Sequence, residues 1–405
     1  MTERAAAFRA WLLAAPVFLA CSAVPTGGLG RERGYVDVDL YGTYAEGLLD
    51  GRLPYRDVFV EYPPGAFAVL LPPALVTDEH YRTLFKLLMA AVAVGGLWCM
   101  SRLLVSLGAG RLRLGLALGF VAASPLLLGS VWLNSYDAWP AALTVAALLA
   151  VVLGFAALGF ACLALAFTAK VYAVVLLVPA SLYVAARWGR RRLAWPLAAF
   201  ALVSVATTVP FVALSPDGVW ASIRSQLERG LHVESLGASL LLAADRLSLY
   251  EATIVVGSTE AKSRDVTGSA ADALAAASTV AVALAVAVVW LAFARHRADA
   301  QRLAVSFAAG VAAVLAFGKV LSPQYAEWLL FLVPLAGGVP GVVATALVGT
   351  AFLLARLWFH HYDGLFSVEG EVWLVLARNL LLVGCYGVLV WVLARGRPGD
   401  TVSSA

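Results

Sequence analysis

Apolar residues along this chain gather in long runs, separated by short polar or arginine-rich segments, and do not alternate with polar ones. Runs of about 17–25 residues are what a helix needs to cross a hydrocarbon core ~30 Å thick. Read as spans, they predict crossings at 8–27, 83–106, 113–132, 138–153, 155–169, 171–187, 194–214, 271–294, 302–318, 325–338, 340–358 and 372–394. The segments 155–169 and 325–338 are short and predict tilted, half-inserted or broken helices. Two stretches between spans are long, 28–82 and 215–270. In the first, Leu40–Asp50 has helical apolar spacing and stops at Gly51, which predicts an amphipathic helix on the membrane surface. Arg52–Pro64 contains Leu53-Pro54-Tyr55 and Tyr62-Pro63-Pro64 and predicts an extended path. Gly65–Val76 is too short to span at about 1.5 Å per residue, so it is expected to dip into the interface.

Composition turns this pattern into a class. The 405 residues are 62% apolar and 13% charged, against about 45–50% and about 25% in soluble proteins. The reading is an all-α polytopic membrane protein, one integral membrane domain over 1–405, which excludes a soluble enzyme and a single-anchor protein. An outer-membrane barrel would show alternating ten-residue strands, about one per crossing. Cys21, Cys99, Cys162 and Cys385 fall in separate apolar runs and read as small hydrophobes, neither a disulfide framework nor a zinc site. The first run also suits a signal peptide cleaved after Ala23, but the charge pattern needs an even number of crossings and favours a retained helix.

Arginine placement sets the orientation, because basic residues near span ends stay cytoplasmic. Arg4, Arg9, Arg102, Arg111, Arg113, Arg187, Arg190, Arg191, Arg192, Arg295, Arg297, Arg302, Arg395 and Arg397 fall on one side, against only Glu3, Asp299 and Asp400. Both termini are therefore expected in the cytoplasm, with most of the 25 carboxylates on or near the outer face. The net charge of +4 then reflects topology, and no aromatic-basic module supports nucleic-acid binding.

Candidate chemistry lies in the outer segments. Asp37 and Asp39 follow the first span; a carboxylate there can take a proton from a hydroxyl. The plainer alternative is a solvated acid or, for Asp39 just before Leu40, a helix cap. Lys170 sits between two apolar runs, where a buried ammonium calls for a partner or snorkels to the interface. Arg229 and Lys319 are candidate anion ligands or solvated loop cations. Glu61 and Tyr62 precede two prolines and either shape the loop or touch a ligand, while Arg56 either binds a ligand or pairs with Asp57. Asp137 either caps the fourth span or contacts a ligand, and Glu234 and Gln324 offer hydrogen bonds to a polar ligand or to their own loops. His360 is a candidate for an outer pocket; with His361 and Asp363 it makes only weak metal spacing, so no metal is expected.

Several of these residues occur in ordered motifs: Asp37 through Tyr41, Gly51-Arg52-Leu53-Pro54-Tyr55-Arg56-Asp57, Val60-Glu61-Tyr62-Pro63-Pro64-Gly65, Arg229-Gly230-Leu231 with Glu234-Ser235-Leu236, and Lys319-Val320-Leu321-Ser322-Pro323-Gln324-Tyr325. Together they resemble the bacterial glycosyltransferase family 87, among the type-C polytopic glycosyltransferases, over nearly the whole chain. His232 departs from the glutamine found at this place in many relatives. The resemblance implies a bundle of about ten to twelve helices whose first outer loop carries interfacial helices and the catalytic base. It implies a polyprenyl-phosphate sugar donor, with mannose the sugar it favours, a lipid or glycan hydroxyl acceptor, and inversion at the anomeric carbon, with Asp37 as base and Asp39 in reserve. Lys170, Arg229 and Lys319 would face the donor phosphate. No cofactor is expected, since the donor is already an activated phosphodiester whose leaving group is polyprenyl phosphate. Alanine, leucine and arginine enrichment suits a GC-rich bacterium, hence a plasma-membrane site acting on the cell envelope. The alternatives are a secondary transporter or flippase of an envelope precursor, and a structural partner in envelope assembly.

Overall fold

The computed structural model describes residues 3–26, 37–256, 264–359, 361–365 and 367–395. The chain opens with α1 (Glu3–Thr26), then α2 (Asp37–Leu49) and α3 (Phe67–Ala74), followed by the long α4 (Tyr81–Ser106) and α5 (Arg111–Leu128). Next come α6 (Ala138–Val152), α7 (Ala156–Ala169), α8 (Leu177–Trp188), α9 (Ala194–Leu214) and α10 (Pro216–Leu227). The second long segment holds β1 (Leu231–His232), α11 (Leu236–Arg246), β2 (Thr253–Val256) and β3 (Arg264–Thr267). The chain closes with α12 (Ser269–Ala294), α13 (Ala300–Phe317), α14 (Glu327–Leu330), α15 (Gly338–Phe359) and α16 (Glu371–Ala394).

Among the described residues, nine helical segments are long and apolar enough to cross a membrane. Burial makes the same point physically. α9 is apolar around its whole circumference, yet only Pro196 is buried; Trp195 is 79% and Leu202 70% exposed. A helix with an apolar face on every side and almost none of it covered by protein is stable only in lipid. The protein is a multi-pass, all-α membrane protein.

Side-chain contacts sort the crossings into two ends. At one end Ser101 Oγ donates to the Ala7 carbonyl at 2.7 Å, Arg113 Nη2 to the Leu335 carbonyl at 2.6 Å, and Arg302 Nη1 and Nη2 to the Leu393 and Ala292 carbonyls at 2.8 Å. These arginines, read as orientation signals, thus also satisfy backbone carbonyls left without helical partners. At the other end Tyr136, Asp137, Lys170 and Trp328 meet, and Ser222 Oγ donates to the Val60 carbonyl at 2.6 Å. The starts of α1 and the end of α16 therefore share one end of the bundle.

Three predicted elements differ in form. The segment expected as a span at 325–338 is not a regular helix: α14 has four residues between tighter 3₁₀ turns at Pro323–Ala326 and Val333–Ala336. It still runs from the Lys170 end to the Arg113 end, and its irregular backbone is tolerated because neighbouring helices bury it. The predicted surface helix begins at Asp37, so Asp39 lies within its first turn and is not its cap; Val38, Tyr41, Tyr44 and Ala45 are buried beneath it. The segment 215–270 contains an antiparallel three-stranded sheet of order β1-β3-β2, with Leu231 opposite Val266 and His232 opposite Asp265, which the apolar pattern did not predict.

The first outer segment is pinned where it meets the bundle. A Cβ on Gly65 would come within 2.6 Å of the Thr168 carbonyl carbon and hydroxyl, and one on Gly218 within 1.7 Å of the Tyr55 carbonyl oxygen. Gly65→Ala is expected to cost about 1–3 kcal/mol by overpacking, read as a lower melting temperature in detergent. Gly95→Ala, with nothing within 4 Å of the new methyl, should melt at or slightly above wild type; equal behaviour of the two variants would show that the loop is not seated on α7.

Candidate functional site

Lys170 organises the first cluster. It ends α7, its backbone extended (φ −150°, ψ 121°), and turns the chain into the 3₁₀ stretch Val171–Leu176. Its side chain is 11% exposed, and Nζ lies 3.3 Å from Asp137 Oδ1, itself 1% exposed. Four rings complete the enclosure, with centroids 4.8 Å away for Tyr136 and Tyr325, 5.4 Å for Tyr62 and 5.8 Å for Trp328. A buried ammonium needs both a counter-charge and polarisable faces, and this box supplies the two together. Trp328 is held flat between Tyr172 and Tyr325, with centroids at 4.0 and 4.4 Å, and donates from Nε1 to Asp137 Oδ1 at 2.6 Å. Ser135 Oγ donates to Asp137 Oδ2 at 2.5 Å. Asp137 starts α6 but makes no side-chain cap bond; the cap expected from sequence is replaced by an ion pair.

Asp37, the first residue of α2, is half-buried at the rim of this box. Its Oδ2 lies 3.5 Å from the Tyr41 hydroxyl, and its charge acts on both Lys170 and Tyr62. The Tyr41, Tyr62 and Tyr136 rings connect the two sides, edge to face, with centroids 5.1–5.6 Å apart. Asp39 is exposed and pairs with Arg82 of α4, outside the box. Glu61 is half-buried beside Tyr44 and Tyr62, and its carbonyl accepts from Gln226 Nε2 at 3.3 Å. Arg56 is exposed and forked onto Asp57 by two 2.9 Å bonds, so the structure does not bring it to the cluster.

A second cluster forms between β1, the 319–326 segment and α16. Lys319 Nζ donates to the Leu227 carbonyl at 2.8 Å; burial lowers its pKa, Asp265 opposes that shift and Arg229 adds to it. Arg229 Nη1 reaches Gln226 Oε1 at 3.2 Å. Glu234 is buried and locked to Arg378, which donates from Nη1 to Oε2 at 3.0 Å and from Nη2 to the Glu234 carbonyl at 2.5 Å. Asn379 adds bonds to the same carbonyl at 3.1 Å and to Ser239 Oγ at 3.0 Å. Burial pushes the Glu234 carboxyl up to about 7 against the pull of Arg378. Oε2 and the backbone carbonyl of Glu234 are both held by this clamp. Gln324 is buried with Oε1 unpartnered among the described residues, and His360 lies outside the described residues. A crevice lined by Leu321, Ser322, Pro323, Phe352 and Arg378 opens beside this second cluster; Asp37 and Lys170 do not line it.

Burial, with Arg229 and Arg378 nearby, holds the His232 imidazole down to about 3 from an ordinary 6.5. An unfolded chain takes up this proton below about pH 6.5 while the folded one refuses it to about 3, so the ring's contribution to stability declines as pH falls through that window. His232→Gln is expected to flatten the acid limb of the melting curve by up to about 1.4 kcal/mol per pH unit. Parallel wild-type and variant curves between pH 6.5 and 4 would refute this.

Sequence reasoning missed Tyr136, Tyr172, Glu327, Trp328 and Arg378. The signal that singled out Lys170, a charge inside an apolar run, was present at Glu327 and Arg378 as well. Glu327 is fully buried, both its carboxylate oxygens lack a hydrogen-bond partner among the described residues, and the charges of Asp137 and Lys170 act on it. Among the described residues no group of His, Cys, Asp and Glu is arranged to hold a metal ion. No protein-family model matches the chain, and no curated protein compared with it does either.

Proposed function

We propose that the protein is a membrane glycosyltransferase, moving one hexose from a polyprenyl-phosphate sugar to a hydroxyl of a cell-envelope lipid or glycan, on the outer face of a bacterial plasma membrane. Mannose is the sugar that the family resemblance favours. The observation that carries the reading is the meeting of Asp37 and Lys170, far apart in the chain, across the Tyr41, Tyr62 and Tyr136 rings at one end of the bundle. Asp37 accepts the proton of the acceptor hydroxyl as its oxygen attacks the anomeric carbon. The bond from that carbon to the phosphate oxygen breaks, the electron pair leaves on the phosphate, and the configuration inverts. Cations near the departing phosphate stabilise its charge where it grows. Arg229 and Lys319, opposed by Asp265, are suited to meet it first, and Lys170 reaches it by exchanging Asp137 for phosphate.

A second reading, an ion-coupled transporter or flippase, draws on one observation: the buried Glu327 beside the Lys170–Asp137 pair, since unpaired carboxylates inside a bundle commonly carry coupling ions. Lipid and glycan analysis of a deletion strain separates the two. The transferase reading expects an envelope glycan or lipid lacking one hexose, with its lipid-linked donor accumulating. Intact glycans with loss of solute movement would reject it in favour of the carrier.

A further inference from the structure

His232 is 5% exposed, yet its ring nitrogen Nδ1 has no hydrogen-bond partner among the described residues. Its backbone is engaged: the N–H donates to the Lys319 carbonyl at 3.0 Å and the carbonyl accepts from the Ser235 N–H at 2.8 Å. A neutral imidazole nitrogen is either an N–H donor or a lone-pair acceptor, and a hydroxyl, which both donates and accepts, pairs with either. Buried polar atoms are nearly always satisfied, so one left open beside cations is a candidate contact for a ligand.

The surroundings say what chemistry fits. Arg229, three residues earlier and half-buried, has its Nε without a partner as well. Lys319 lies beneath the His232 backbone, with Nζ on the Leu227 carbonyl. Asp265 stands opposite His232 in the ladder, its Oδ2 within 3.0 Å of where a Cβ on Gly230 would be. Arg378, on the far side, is committed to Glu234 and Asn379. Among the described residues Arg229 and Lys319 set two cations near the carboxylate of Asp265, a balance that suits an anion. The neutral imidazole nitrogen beside them pairs with a hydroxyl. The set therefore suits a ligand with a phosphate and a hydroxyl close together, as in a glycosyl phosphate.

We infer that His232 Nδ1 shares a hydrogen bond with a sugar hydroxyl of the donor whose phosphate is held by Arg229 and Lys319, which makes His232 a specificity-determining residue. The inference rests on the transferase reading and deepens it: the cations bind the phosphate of any such lipid, and the imidazole distinguishes lipids that carry a sugar. Sites built to hydrogen-bond a hydroxyl discriminate strongly against ligands without it, because the buried polar group is then left unpaired.

The test measures binding of mannosyl-phosphoryl polyprenol and of polyprenyl phosphate of equal chain length to the full chain in nanodiscs. Wild type is expected to prefer the sugar-bearing lipid by about tenfold or more. His232→Leu should lose that preference while holding the sugar-free lipid as before, and His232→Gln, which keeps both a donor and an acceptor, should retain most of it. A preference that survives in His232→Leu, or equal loss of both lipids, overturns the inference and leaves the transferase reading standing. Binding of neither lipid by wild type overturns that reading and the inference with it. If His232→Leu does not fold, a series of deoxymannosyl lipids tests the same contact in the wild type: one missing hydroxyl should cost about tenfold, and no loss at any position refutes the assignment.

Discussion

Asp37→Asn is expected to lower sugar transfer by about 10²–10⁴-fold, the range that a general base contributes, with near-normal expression and membrane insertion. The amide keeps the shape of the carboxylate but has no basic oxygen with which to take the acceptor proton. Folding should be little affected, because Asp37 is half-buried at the rim of the aromatic box and the amide that replaces it has nearly the same size and shape. Asp39→Asn is the matched control. It removes an exposed pair with Arg82, worth little in water, and should leave transfer close to wild type. Purified Asp37→Asn protein with full activity would sink the assignment of the base; full activity there together with a dead Asp39→Asn would move the role to Asp39.

The largest effect on stability is expected at the Lys170–Asp137 pair. Lys170→Met strands a carboxylate that is 1% exposed, and Asp137→Leu strands an ammonium that is 11% exposed. Removing one partner of a buried pair typically costs about 3–5 kcal/mol, whereas replacing both with apolar groups of similar volume is often close to neutral. Both single variants should therefore melt far below wild type in detergent, and the double variant should recover much of the loss. Trp328 loses its acceptor at Asp137 in the double variant, so recovery stays incomplete by about the 1–3 kcal/mol of an unpaired buried donor. Strictly additive losses would mean that the two residues do not support each other. Transfer should stay low in the double variant even where stability returns, because the cation itself is gone.

Much of the architecture was legible as a one-dimensional pattern. The run predicted at 194–214 is α9 residue for residue, and the runs at 83–106 and 271–294 differ from α4 and α12 by two residues at one end. Such runs can be read because lipid imposes the same demand on every stretch of chain: enough consecutive apolar residues to reach across, whatever else is nearby. The segment 325–338 broke this pattern, because Pro323 and Pro334 interrupt the helical ladder and only burial among neighbours keeps the freed backbone groups out of lipid. Lys170 was picked out as a buried charge in need of a partner, but which partner was not legible, since Asp137 looks locally like any residue at the start of a helix.

The sequence alone determined that this is a helical membrane protein, roughly where it crosses, and which polar residues stand out against the apolar background, since those properties depend on composition within a window of about twenty residues. Only the tertiary structure decided that Lys170 rests on Asp137 inside four aromatic rings, that Arg56 and Asp39 pair with neighbours away from them, and that Arg378 occupies Glu234. Ion pairs, ring contacts and unpaired lone pairs depend on distances of a few ångströms between residues remote in sequence, and such distances exist only after the helices have packed.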